Sequence, residues 1–97
     1  LVRHGEVDAA WRGRLYGDLD VPLSAVGRDQ AADVARRLAD RPLAAIVSSD
    51  LERARFGAAC IASTARVARP EARVDPRWRE LCRGAWAGST FAELDAR

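Results

Sequence analysis

Two hydrophobic spacings alternate along this chain, and each change of spacing marks a boundary. Leu1-Val2 is a short apolar stub that breaks into Arg3-His4-Gly5-Glu6, and it reads as the tail of a first strand. Residues 5–23 are rich in Gly and Asp and close on Pro22. A connection of that length inside a compact domain is more often functional than idle. From Ser24 the spacing becomes helical. Ala31, Val34, Ala35 and Leu38 fall on one face, with Arg28, Asp29, Asp33, Arg36 and Arg37 on the others. Ser24 fits the N-cap, and Pro42, which disfavours helix at Arg41, predicts an end near Asp40. Leu43-Ala44-Ala45-Ile46-Val47 is apolar at every position, which suits a parallel strand buried on both faces.

A second helix follows at once. Ser49 and Glu52 have the spacing of a capping box, and Leu51, Ala54, Ala58, Ile61 and Ala62 form an apolar stripe. Gly57 inside it costs about 1 kcal/mol relative to Ala, so a close neighbour is expected there. Pro70 and Pro76 bracket an extended stretch around Arg73-Val74, a loop with Gly84 and Gly88 follows, and Thr90 with Glu93 predicts a second capping box. Strands alternating with helices indicate an α/β fold of three layers, α/β/α, around a mainly parallel sheet. Ligands of such folds bind outside the C-terminal ends of the strands. Here those ends deliver Arg3 and His4, and then Ser48-Ser49-Asp50 with Arg53 one turn into the helix.

Composition limits the partners. The 97 residues carry 16 Arg and no Lys against 14 acids, a net charge of +2. That balance, with aromatic residues not interleaved among basic runs, argues against nucleic acid and against an anionic membrane. No apolar run approaches the roughly 20 residues of a membrane span. Cys60 and Cys82 are far apart with no CxxC, and His4 is the sole histidine, so no metal site can be assembled from them. Two such cysteines fit a reducing, cytoplasmic setting. The chain has no Met, opens directly in apolar residues and stops at Asp95-Ala96-Arg97 as if in mid-helix. It is therefore expected to be a piece of a longer protein, truncated at both ends.

The candidate chemistry starts at His4. An imidazole at a strand end, beside an arginine and before a glycine, is what phosphoryl transfer to histidine needs. The ring supplies the nucleophile, Arg3 holds the phosphate, and Gly5 lets the backbone come close.

Three stretches then carry a family resemblance. They are Leu1-Val2-Arg3-His4-Gly5-Glu6, Ser48-Ser49-Asp50-Leu51-Glu52-Arg53-Ala54, and Trp78-Arg79-Glu80-Leu81-Cys82-Arg83-Gly84-Ala85-Trp86-Ala87-Gly88. Between the first two, Asp20-Val21-Pro22-Leu23-Ser24-Ala25-Val26-Gly27 resembles the family's approach to its first helix. In this order they resemble the histidine phosphatase superfamily, the phosphoglycerate-mutase-like group, over nearly the whole chain. The resemblance implies a metal-independent phosphomonoester hydrolase that needs no cofactor and takes a small phosphorylated metabolite. It implies His4 as the nucleophile that becomes phosphohistidine, Arg3 and Arg53 as phosphate ligands, and Glu80 as the general acid. Arg12, Arg14, Arg28, Arg36, Arg37 and Arg55 read as solvated surface arginines, with Arg14 also a candidate for the pocket wall. Trp11, Trp78 and Trp86 read as packing or pocket wall.

The chain also departs from the family. Trp78 stands at a usual Leu, Ala87 at a common acid, and Gly57 at a common Thr. The second histidine the family carries near its C-terminal end has no counterpart here, so residues 1–97 are expected to be an incomplete domain. Mutase members tend to have a Trp-Asn pair shortly after Arg-His-Gly-Glu, whereas this chain reads Val7-Asp8-Ala9-Ala10-Trp11-Arg12. The run Gly13 to Leu23 resembles the phosphatase branch, including enzymes of the α-ribazole phosphatase type. The alternatives are a phosphoglycerate mutase and a phosphate-binding module without turnover.

Overall fold

A computed structural model describes residues 1–67 and 70–96. In order it has α1 (Ala25–Leu38), β1 (Ile46–Ser48), α2 (Glu52–Thr64), β2 (Ala72–Val74) and α3 (Phe91–Asp95), with 3-10 turns at Ala9–Trp11, Pro76–Trp78 and Gly84–Trp86. The fold is mixed α/β. β1 and β2 pair in parallel, with Ile46 opposite Ala72, Val47 opposite Arg73 and Ser48 opposite Val74. The Asp75 amide donates to the Ser48 carbonyl at 2.8 Å and carries the pairing one step further. α2 is the crossover between the two strands, and α1 packs on α2.

The core lies where α1, α2 and β1 meet, at Ala35, Ile46, Ala58 and Ile61, with Leu38, Leu43, Cys60 and Ala62 packed against it. Two alanines at its centre let the helices approach closely. The far ends of α1 and α2 are tied by polar bonds. Thr64 Oγ1 donates to the Ala35 carbonyl at 3.3 Å, and the Arg66 amide to the Ala39 carbonyl at 2.8 Å.

α1 begins and ends close to where its signals put it, with Ser24 Oγ accepting from the Gly27 amide. The Thr90–Glu93 capping box is formed in both directions. Ala96 caps α3, and Arg97 lies outside the described residues.

Four local expectations are corrected. Leu1 and Val2 form no strand and are exposed, because no neighbouring strand among the described residues offers them a ladder. The expected strand 43–47 moves to Ile46–Ser48, the stretch β2 can reach, and Val47 is half exposed, not buried on both faces. Ser49 is buried and does not cap α2. The N-cap is Leu51, and the Glu52 amide is instead satisfied at 2.8 Å by the Asp20 carboxylate from the long loop. Gly57 has open space where a Cβ would stand, with nothing within 4 Å. Only the propensity cost is left there, so Gly57→Ala should stabilise the protein by about 0.5–1 kcal/mol. Urea unfolding measures this, and a loss of stability would mean that a neighbour does pack against Gly57.

Among the described residues no helix is long and apolar enough to cross a membrane.

Candidate active site

The segment carrying His4 is held against the start of α1 by contact between two backbones. A Cβ on Gly5 would lie 2.2 Å from the Gly27 carbonyl oxygen, and one on Gly27 would lie 1.9 Å from that of Glu6. Only glycine at both positions allows this approach. Hydrogen bonds fix the register. The Ser24 amide donates to the Glu6 carbonyl at 3.0 Å, the Glu6 amide to Gln30 Oε1 at 2.9 Å, and Ser24 Oγ to the Glu6 carboxylate at 3.1 Å. Val7 and Leu23 form an antiparallel bridge one step beyond. Ser24 thus caps α1 and also anchors the loop that bears His4.

His4 is half-buried, and its Nδ1 lies 2.7 Å from the Gly5 carbonyl oxygen. A carbonyl can only accept, so Nδ1 carries the proton and Nε2 keeps a free lone pair. Burial is the largest influence on this ring and pushes its pKa below the ordinary histidine value. The bond to Gly5 works the other way. The charges of Arg53 and Arg3 lower it further, while that of Glu80 raises it. The net result favours the neutral ring, the form that can act as a nucleophile.

His4 and Arg3 line an open cleft of about 410 Å³, walled also by Trp11, Arg12, Tyr16 and Gln30. Arg12, expected as a solvated arginine, belongs to this wall and pairs with Glu6 at 2.5 Å. Arg14, expected as a surface arginine and also as a candidate for the wall, is not among the residues lining this cleft and donates to the Gly88 carbonyl at 2.8 Å.

Arg53 enters from the first turn of α2 and is 2% exposed. Its Nη1 and Nη2 each donate at 2.5 Å to backbone carbonyls, those of Leu19 and Gly17. The Tyr16 ring stacks on the guanidinium with its centroid 5.0 Å from Cζ. Nε–H and one hydrogen on each Nη are left outside those two bonds. Gly17 has φ +50°, and a Cβ there would lie 2.4 Å from the Leu81 carbonyl oxygen. That single residue therefore joins Arg53 to the segment that carries Glu80.

Glu80 is exposed. The residue before it, Arg79, clasps Asp50 with Nε at 2.5 Å and a second bond from Nη2. The Arg79 bond holds the Asp50 carboxyl below the usual carboxylate range. The structure so brings Arg3 to His4 in one cleft, and brings Arg53 and Glu80 near enough for their charges to act on His4, though neither lines the cleft itself. Nothing local to Tyr16, Asp20 or Asp50 marks them as supports, since each depends on a partner distant in the chain. Among the described residues no group of three or more His, Cys, Asp or Glu could hold a metal ion.

The family model for the histidine phosphatase superfamily (branch 1) matches residues 1–97. The chain belongs to the histidine phosphatase superfamily. Among curated members of the superfamily, a glucosyl-3-phosphoglycerate phosphatase of Mycobacterium tuberculosis is 41% identical over 96 residues, covering 99% of this chain and 42% of the relative. The solved structure of a mycobacterial glucosyl-3-phosphoglycerate phosphatase superposes with a TM-score of 0.84 at 42% identity, over 97% of this chain and 43% of that one. A probable phosphoglycerate mutase of Proteus mirabilis is 38% identical over 97 residues, all of this chain and 44% of the relative. A putative α-ribazole-5′-phosphate phosphatase of Escherichia coli has a TM-score of 0.84 at 27% identity, over 98% of this chain and 46% of that one. The chain thus spans less than half the length of these histidine phosphatase relatives.

Proposed function

We propose that residues 1–97 are the N-terminal part of a histidine phosphatase domain, and that the whole domain is a metal-independent phosphomonoesterase working through phosphohistidine at His4. The observation that carries this reading is the setting of His4: Nδ1 on the Gly5 carbonyl, which leaves Nε2 outside that bond, burial that lowers the ring's pKa, and Arg3 beside it in an open cleft. A phosphomonoester carries close to two negative charges at neutral pH. Arg3 and Arg53 bind its oxygens and stabilise the charge that builds during transfer.

His4 Nε2 attacks phosphorus, the N–P bond forms and the ester P–O bond breaks. Glu80 gives its proton to the leaving oxygen. Water then attacks the phosphohistidine, Glu80 takes a proton from it, and the N–P bond breaks to release phosphate. Family membership, and the nearness of Glu80 to His4, support the role of the acid. The substrate is a small phosphorylated metabolite, in keeping with the names of the relatives. The free thiols Cys60 and Cys82 fit a cytoplasmic enzyme.

The test is trapping in the complete protein with a labelled aryl phosphate and excess chelator. An acid-labile label on His4, absent in His4→Ala, is expected. Full turnover in His4→Ala, or loss of turnover on chelation, would overturn the proposal. The acid limb of kcat/KM should lie below the ordinary histidine pKa, because the folded ring resists protonation. The relative named as a probable mutase supports a second reading, phosphoglycerate isomerisation, which a direct assay separates from hydrolysis.

A further inference from the structure

We propose that Tyr16 is a positioning residue whose aromatic face holds the Arg53 guanidinium in the orientation that receives phosphate. The inference rests on the reading that Arg53 is a phosphate ligand. A guanidinium that is 2% exposed has lost its hydration, and something must offset that loss. Two in-plane bonds to Gly17 and Leu19 satisfy part of it and fix two edges of the fork. In-plane bonds alone leave the fork free to rock about the line joining those carbonyls. The Tyr16 ring, 5.0 Å from Cζ, covers one face and supplies the negative side of an aromatic quadrupole to it. Tyr16 is also part of the wall of the His4 cleft, so the arginine it covers lies beside the space where the phosphate arrives, near enough for its charge to act on His4.

The local chain explains why this ring stays in place. Tyr16, Gly17 and Leu19 form one short loop, and Arg53 is bound by a side chain and two carbonyls from it. The loop is pinned on its other side by the contact of Gly17 with the Leu81 carbonyl. Beyond it, Leu15 donates to the Ser89 carbonyl and accepts from the Gly88 amide, each at 2.8 Å. The ring is therefore carried on a fixed backbone. Its role depends on the π face, not on the phenol hydroxyl.

The experiment reads equilibrium binding of inorganic phosphate by calorimetry alongside kcat for an aryl phosphate, in the complete protein. Tyr16→Leu should weaken phosphate binding and lower kcat, each about tenfold, a size consistent with losing one desolvated cation–π contact. Tyr16→Phe should recover both to within about threefold of the parent. In an Arg53→Met background the Tyr16→Leu change should cost almost nothing further, the mark of two groups acting as one. Equal behaviour of the Leu and Phe variants, or full additivity with Arg53→Met, would overturn the proposal. If Tyr16→Leu does not fold, phenylalanines of increasing fluorination at position 16 keep the shape and weaken the π face. Phosphate affinity should then fall stepwise, and a flat series would overturn the proposal. Weakened phosphate binding in Tyr16→Leu, without any phosphohistidine in the parent, would sink the enzymatic reading and leave this one standing.

Discussion

Gly27→Ala is expected to cost at least about 3 kcal/mol of stability, the upper end of what overpacking a tight site costs. Two effects oppose each other at this position. Gly27 lies in the first turn of α1, where alanine is the better helix former by about 1 kcal/mol. Against that, the new methyl would lie 1.9 Å from the Glu6 carbonyl oxygen and 2.9 Å from its carbon and nitrogen. The obstructing atoms are backbone, held by bonds to Ser24 and Gln30, so no side chain can swing aside. The clash wins. Relief requires the Arg3–Glu6 segment to lift off α1, and His4 moves with it. Urea unfolding should give a lower midpoint together with a large fall in turnover. A stabilised Gly27→Ala protein would refute the close approach.

Arg53→Ala is the second large effect. Turnover should fall about 10²–10³-fold, the loss typical of removing one donor aimed at transition-state charge. Arg53→Lys should restore little, because an ammonium cannot span the Gly17 and Leu19 carbonyls and still present a fork. Stability falls too, since the buried Gly17 carbonyl loses its partner, at a cost of about 1–3 kcal/mol, while the Leu19 carbonyl keeps its bond from the Val21 amide. A pH signature separates this from unfolding. The Arg53 charge helps to hold the His4 pKa down, so its removal should move the acid limb of kcat/KM upward, with burial still supplying the larger part of the depression. The sign for stability follows from the same shift. The folded pKa of His4 lies below its unfolded value, so the unfolded chain binds the proton more readily. Stability is complete above the unfolded pKa, near 6.5, and is lost as pH falls from there through the folded pKa. Unchanged turnover in Arg53→Ala would remove Arg53 from the proposed phosphate site.

Local signals served well where the structure is local. Ser24 caps α1 and Thr90 pairs with Glu93, because each pattern is complete within one helical turn. The parallel pairing of β1 and β2 around α2 follows from an apolar run, a helix and a proline-bracketed strand in that order. The misreadings share a different cause. Asp20 supplants Ser49 at the start of α2 across 32 residues, and that distance is invisible to a rule about spacing three apart. Gly57 and Gly27 look alike in sequence as helical glycines, yet one faces open space and the other a carbonyl. For Arg53, the strand order placed it near a ligand-binding strand end and the family motif implied its role, but neither foretold its burial. Nothing about an arginine among Glu52, Ala54 and Arg55 announces a side chain sealed beneath a tyrosine.

The contact between Gly5 and Gly27 has a genetic consequence. Each missing methyl would strike the other residue's main chain or its neighbour's, and main-chain atoms are the same in every amino acid. No substitution at position 5 can then make room for alanine at 27, nor the reverse. A selection for suppressors of either change should return true revertants, where an ordinary pair of packed side chains would also yield compensating partners. The two positions should hold still independently and never drift together.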